Sequence, residues 1–64
     1  MVIDMYAMAI EELVFDECVS LGRCSRSTAY RWERELNSRL SNDYPFRVQK
    51  EKDASGWYLR RVTA

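Results

Sequence analysis

An α+β domain, helices first and a β-hairpin last, is the fold class this chain predicts, and three observations predict it. Apolar residues recur at helical spacing over residues 3–21 and again over 25–41. Phe46-Arg47-Val48-Gln49-Lys50 alternates apolar and polar as a half-buried strand does. Gly56-Trp57-Tyr58-Leu59-Arg60-Arg61-Val62 can form its partner, with Glu51-Lys52-Asp53-Ala54-Ser55 as a charged turn between them. The chain has 64 residues. That length fits one small domain, able to bury only about 60% of its unfolded surface, so association would add stability.

Residues 3–21 hold the N-terminal helix or helices. Ile3, Ala7, Ile10, Val14, Cys18 and Leu21 fall on one face, and a single long helix over 3–20 is preferred to a very short helix followed by a second from Glu11. Gly22 then ends it, as a glycine does just past a helix C-terminus. Met8, Phe15 and Val19 gather on a neighbouring face, giving more apolar width than one small core needs. They form the expected dimer interface, the competing role being packing under the hairpin or against the N-terminus.

The second helix spans 25–41. Ser25 supplies an N-cap hydroxyl, and Ala29, Trp32, Leu36 and Leu40 make its apolar stripe. At about 100° per residue, Ser27, Tyr30, Arg31, Arg34 and Ser38 lie opposite that stripe. Arg serves phosphates and guanine edges, Ser phosphates or either base, and Tyr a phosphate oxygen. Arg26 suits a phosphate near the helix start. Glu33 and Glu35 read as solvated partners of nearby arginines, worth little. Ser41-Asn42-Asp43 ends the helix, and Pro45 disfavours helical geometry at Tyr44.

In the hairpin over 46–62, Phe46, Val48, Trp57 and Leu59 form the expected inward set. Arg47, Lys50, Lys52, Tyr58, Arg60 and Arg61 are expected outward. Lys52 near the tip, with Arg60 and Arg61 on the return strand, suits a nucleic-acid backbone or minor groove. The competing role is protection of a strand edge by charge.

The order Leu21-Gly22, Ser25-Arg26-Ser27-Thr28-Ala29-Tyr30-Arg31-Trp32, Leu36, and a hairpin closing on Gly56-Trp57-Tyr58-Leu59, resembles prokaryotic winged helix-turn-helix DNA-binding domains. The similarity covers about residues 10–62 and is greatest to the N-terminal domains of biotin-ligase repressors. The two-helix layout resembles the compact phage excisionases. The turn from Leu21 to Ser25 is one residue longer than the family's usual turn, Arg23 being the extra one. What the resemblance implies is a transcriptional regulator or recombination factor that places the helix from Ser25 in the major groove and the hairpin wing on the flanking backbone.

Net charge is zero, with ten basic and ten acidic residues, but the signs are separated. Every charge in residues 1–20 is acidic: Asp4, Glu11, Glu12, Asp16 and Glu17. All ten basic residues lie in 21–64 against five acidic ones, an excess of five positive charges. The second part suits phosphate and the first suits solvent or a partner. Enzyme chemistry finds little support: the chain has no histidine, the usual general base near neutral pH. Cys18 and Cys24 lack the spacing and companions of a zinc site, Cys18 reading as a core residue and Cys24 as a turn residue. No glycine-rich phosphate loop is present, and no cofactor or metal is expected. The thiols are expected reduced, in the cytoplasm or a phage host's cytoplasm. Double-stranded DNA is the expected partner, bound as a dimer or array, without membrane association. The alternative is a protein-interaction module of the same fold.

Overall fold

A computed structural model describes residues 3–63. The elements run α1 (Met5–Phe15), β1 (Cys18–Gly22), α2 (Arg26–Leu40), β2 (Phe46–Asp53) and β3 (Gly56–Thr63). The domain is therefore α+β: two helices and one antiparallel sheet of order β1-β3-β2. Leu13, Leu36, Leu40 and Leu59 are fully buried between the helices and the sheet, joined by Ala9, Ile10, Val19 and Val48.

Helix α1 starts where Asp4 caps it, its Oδ1 accepting from the Tyr6 and Ala7 N–H groups at 3.1 and 3.2 Å. It ends at Phe15, with Asp16 already extended. Two carboxylates, Asp16 and Glu17, would sit at the negative end of a continued helix, which the macrodipole disfavours. A cation arrives there instead: Arg61 Nη1 donates to the Leu13 carbonyl at 2.8 Å.

The chain then forms a strand where a helix is expected through Leu21. Within β1, Val19 is buried and Cys18 and Ser20 are exposed, the alternation of a strand with one face on a core. The expected stripe Ile3-Ala7-Ile10-Val14-Cys18-Leu21 accordingly does not form. Helix α1 buries Ala9, Ile10 and Leu13, with Tyr6 packed beside them, while Ile3, Ala7, Val14 and Cys18 are exposed. Val19 is a core residue and not a helix-face neighbour of Met8 and Phe15. Apolar residues occupy nearly every side of α1, so its buried face is set by the core it packs on, with the Tyr6 ring centroid 4.5 Å from that of Trp32 at the margin.

Helix α2 follows expectation: Ser25 Oγ accepts from the Thr28 N–H at 3.1 Å, and Ala29, Leu36 and Leu40 are fully buried. With β1 between them, α1 and α2 are not joined by a short turn. The hairpin is tighter than expected, because β2 runs through the charged segment to Asp53 and only Ala54-Ser55 turn. Asp53 Oδ1 accepts from the Ser55 N–H at 2.8 Å, an Asx turn that completes the reversal.

Gly56 is required by a close approach. Its φ is +127°, and a Cβ there would lie 2.4 Å from the Gly22 carbonyl oxygen. Gly56→Ala is expected to destabilise the domain by about 3 kcal/mol through strain and displacement of the β1–α2 junction, read as a lower urea midpoint; an unchanged midpoint would show that the junction yields freely.

The two helices are also tied by charge. Arg39 Nη1 lies 2.7 Å from Asp4 Oδ2 and its Nε 2.9 Å from Glu35 Oε2. The Arg39 hydrogen bond, with that from Ala7 N–H, holds the Asp4 carboxyl below its usual value. Across the sheet, Arg60 and then Tyr58 do the same for Glu51. A depressed carboxylate contributes stability that is complete above its unfolded value and lost as pH falls through its folded one. Asp4→Asn keeps a good cap but not the charge. It is expected to melt below wild type at neutral pH, the gap closing on acidification below the carboxylate range; a gap constant with pH would exclude the Arg39 pairing as its source.

Candidate nucleic-acid interface

Residues 27, 30, 31, 34 and 38 recur every three or four positions, so the winding of α2 sets their side chains along one flank. Ser27, Tyr30, Arg31, Arg34 and Ser38 line a single shallow groove there together with Glu35. From Ser27 to Ser38 the helix rises about 16 Å, a length comparable to a stretch of major groove. The Glu35 carboxylate is engaged by Arg39, leaving Arg31 and Arg34 exposed without an ion-pair partner among the described residues.

The ten cations divide by what their head groups touch. Arg39, Lys50 and Arg60 are ion-paired. Arg47 and Arg61 are spent on backbone carbonyls. The Arg47 Nη1 donates to Phe46, Tyr44 and Leu40 carbonyls at 2.8, 3.1 and 3.3 Å, covering the C-terminal end of α2. Arg61 closes α1 and lies over the Phe46 ring, 5.4 Å from its centroid. The remaining five, Arg23, Arg26, Arg31, Arg34 and Lys52, are exposed and have no carboxylate within 4.0 Å among the described residues. Such cations keep their full field for an outside anion.

Strand register separates the hairpin candidates. Val48 faces the helices, so Lys50 and Lys52 share its side of β2, and Leu59 places Arg61 on that same side of β3. The expected outward set is thus corrected for Lys50, Lys52 and Arg61, which lie on the helix-facing side. Arg47, Tyr58 and Arg60 start from the far face; the Arg47 head group turns back to the C-terminal end of α2, while Arg60 Nε donates to Glu51 at 2.6 Å and Tyr58 Oη donates to it at 2.9 Å. Lys50 Nζ lies 5.5 Å from the Tyr30 ring centroid, and Lys52 Nζ 5.7 Å from that of Trp57. Lys50 and Tyr30 therefore link β2 to the flank of α2.

Three residues gain roles that sequence reading did not give them. Asn37 Oδ1 accepts from the Val48 N–H at 2.8 Å while its Nδ2 donates to the Val48 carbonyl at 3.0 Å. One turn earlier, Glu33 Oε2 accepts from the Lys50 N–H at 2.8 Å. The i, i+4 spacing on α2 matches the i, i+2 spacing on β2, so the helix seals the sheet's edge. Glu33 is therefore not a solvated residue. Arg23, the extra turn residue, follows Gly22 and lies beside Gly56 at the hairpin's return. Its signal was only its position between two glycine-dependent turns.

Cys18, expected in the core, is exposed on the sheet's far face, and Cys24 is half-buried; both are free thiols. Among the described residues no cluster of His, Cys, Asp or Glu is arranged to hold a metal ion. No described helix is long and apolar enough to cross a membrane. No protein-family model, curated protein or solved structure matches the chain.

Proposed function

We propose that this domain binds double-stranded DNA as a reduced winged helix, with the N-terminal half of α2 in the major groove and the β2–β3 hairpin on flanking backbone. Its role on this reading is that of a small transcriptional regulator or recombination factor. One observation carries the proposal: the five unpaired cations belong to α2, the loop leading into it and the helix-facing side of the hairpin, while the paired cations serve the fold. Arg31 and Arg34 are assigned to base edges or inner phosphates, Ser27, Tyr30 and Ser38 to backbone or base, and Arg23, Arg26 and Lys52 to phosphate. Lys50 orients Tyr30, and Arg47, Arg60 and Arg61 act through folding.

Five unpaired cations per copy imply modest affinity and a salt slope of up to about −4.5, roughly −0.9 for each phosphate contact. Fluorescence anisotropy with a pool of duplex DNA at two salt concentrations tests this directly. Binding that weakens steeply with salt is the expected result. Absence of binding at the lower salt would favour a second reading, a protein-interaction module, which draws on the apolar exposure of α1: Phe15 is 81% and Met8 59% exposed.

A further inference from the structure

The sheet's two edges are finished differently. At β2, Asn37 and Glu33 occupy outward backbone groups of Val48 and Lys50. At the other edge, the Arg61 N–H donates to the Glu17 carbonyl at 2.7 Å, and alternation from that bond turns the backbone of Val19 toward β3 and that of Cys18 and Ser20 outward. Among the described residues, none bonds those outward groups. The strand also lacks the lysine or proline that usually blunts an open edge.

Beside this edge runs an apolar groove of about 720 Å³ between β1 and α1, floored by Val19, Leu21 and Trp32. Its wall is one stripe of α1, Met5, Met8, Glu12 and Phe15, in which a carboxylate interrupts large apolar side chains. Glu12 and the neighbouring Glu11 and Asp16 have no ion-pair partner among the described residues. A strand added beyond β1 would lie about 4.8 Å from it, and its face toward the helices would fall along this wall.

We propose that β1 accepts an extended segment of a protein partner as a fourth strand, one presenting large apolar side chains and a lysine or arginine together on its helix-facing side. Backbone bonds to Cys18 and Ser20 give affinity, and pockets for alternate side chains give selectivity. The apolar side chains cover Met5, Met8 and Phe15, and the cation pairs with Glu12 or Asp16. A second copy is the poorer occupant, because two-fold pairing of β1 with itself would bring two sets of unpaired carboxylates together. This surface is separate from the proposed DNA face, so either assignment can fail alone.

The test is a titration of isotope-labelled protein with a capped synthetic peptide in which threonine alternates with isoleucine, arginine and leucine, followed by amide chemical shifts. Saturable shifts at Cys18, Ser20 and along Met8 to Phe15 are expected. Glutamate in place of the peptide's arginine, or Ser20→Pro in the protein, is expected to weaken binding by roughly tenfold or more. Met8→Asp, at an exposed position, should do the same without altering the melting temperature. Shifts confined to α2 and the hairpin, or undiminished binding by Ser20→Pro and Met8→Asp variants that remain folded, would overturn the proposal. So would concentration-dependent self-association through the β1 amides, which would assign the groove to a second copy.

Discussion

Replacing Arg31 and Arg34 together with alanine is expected to reduce duplex DNA binding by on the order of 100-fold at moderate salt, while leaving thermal stability unchanged. Both guanidinium groups are exposed on the outer flank of α2, so their removal breaks no ion pair among the described residues. A base-reading arginine contributes about 1–3 kcal/mol of discrimination, and each lost phosphate contact lowers the salt slope by about 0.9. The two roles separate in one experiment. A slope reduced by roughly two with equal loss on every sequence marks phosphate contacts, whereas loss concentrated on a selected sequence marks base contact. Arg60→Ala is the matched control, since Arg60 lies across the sheet and is engaged by Glu51. If it weakens binding as much as the double variant, attraction is diffuse and α2 is not the recognition element.

Asn37→Ala is expected to destabilise the domain by about 2–3 kcal/mol, because it leaves both the N–H and the carbonyl of Val48 without their partner. A domain of this size holds only several kcal/mol in total, roughly 0.05–0.15 kcal/mol per residue. The loss is therefore a large fraction of stability. Urea unfolding gives the magnitude, and hydrogen exchange at the Val48 amide locates it. Asn37→Asp should fall between, accepting from the N–H but unable to donate to the carbonyl. A wild-type midpoint in the alanine variant would mean that solvent replaces the side chain at no cost. On the DNA reading, loosening this clamp also frees Lys50 from its place over Tyr30, so binding should weaken further than stability alone explains.

Much of α2 and the hairpin was legible because local pattern and tertiary environment agree there. Ser25 caps, Ala29, Leu36 and Leu40 bury, and Val48 and Leu59 alternate inward. The N-terminal segment was misread because apolar residues occupy nearly every side of α1, so periodicity alone could not choose the buried face. Extending the stripe through Cys18 and Leu21 chose the wrong one. The helix-stopping pair Asp16-Glu17 and the alternation Cys18-Val19-Ser20-Leu21 were the available signals, but a five-residue strand is too short for period to outweigh a glycine in the position of a helix terminator. The same limit applies to the cations. Sequence placed Arg47, Arg60 and Arg61 with the interface candidates because charge says nothing of which carbonyls or carboxylates lie within reach.

What the sequence by itself determined was the α+β class, the cap and apolar stripe of α2, the inward facing of Phe46, Val48 and Leu59 in the hairpin and the separation of acidic from basic residues along the chain. These depend on neighbours within a few positions, where spacing fixes geometry. The tertiary structure alone decided that residues 18–22 join the sheet as a strand, that Asn37 and Glu33 seal one sheet edge while β1 stays open, and which cations remain free. Those outcomes depend on partners distant in the chain: Glu17 with Arg61, Asn37 with Val48, Gly22 with Gly56. A backbone polar group takes whichever partner folding brings to it, and residue spacing carries no record of that choice.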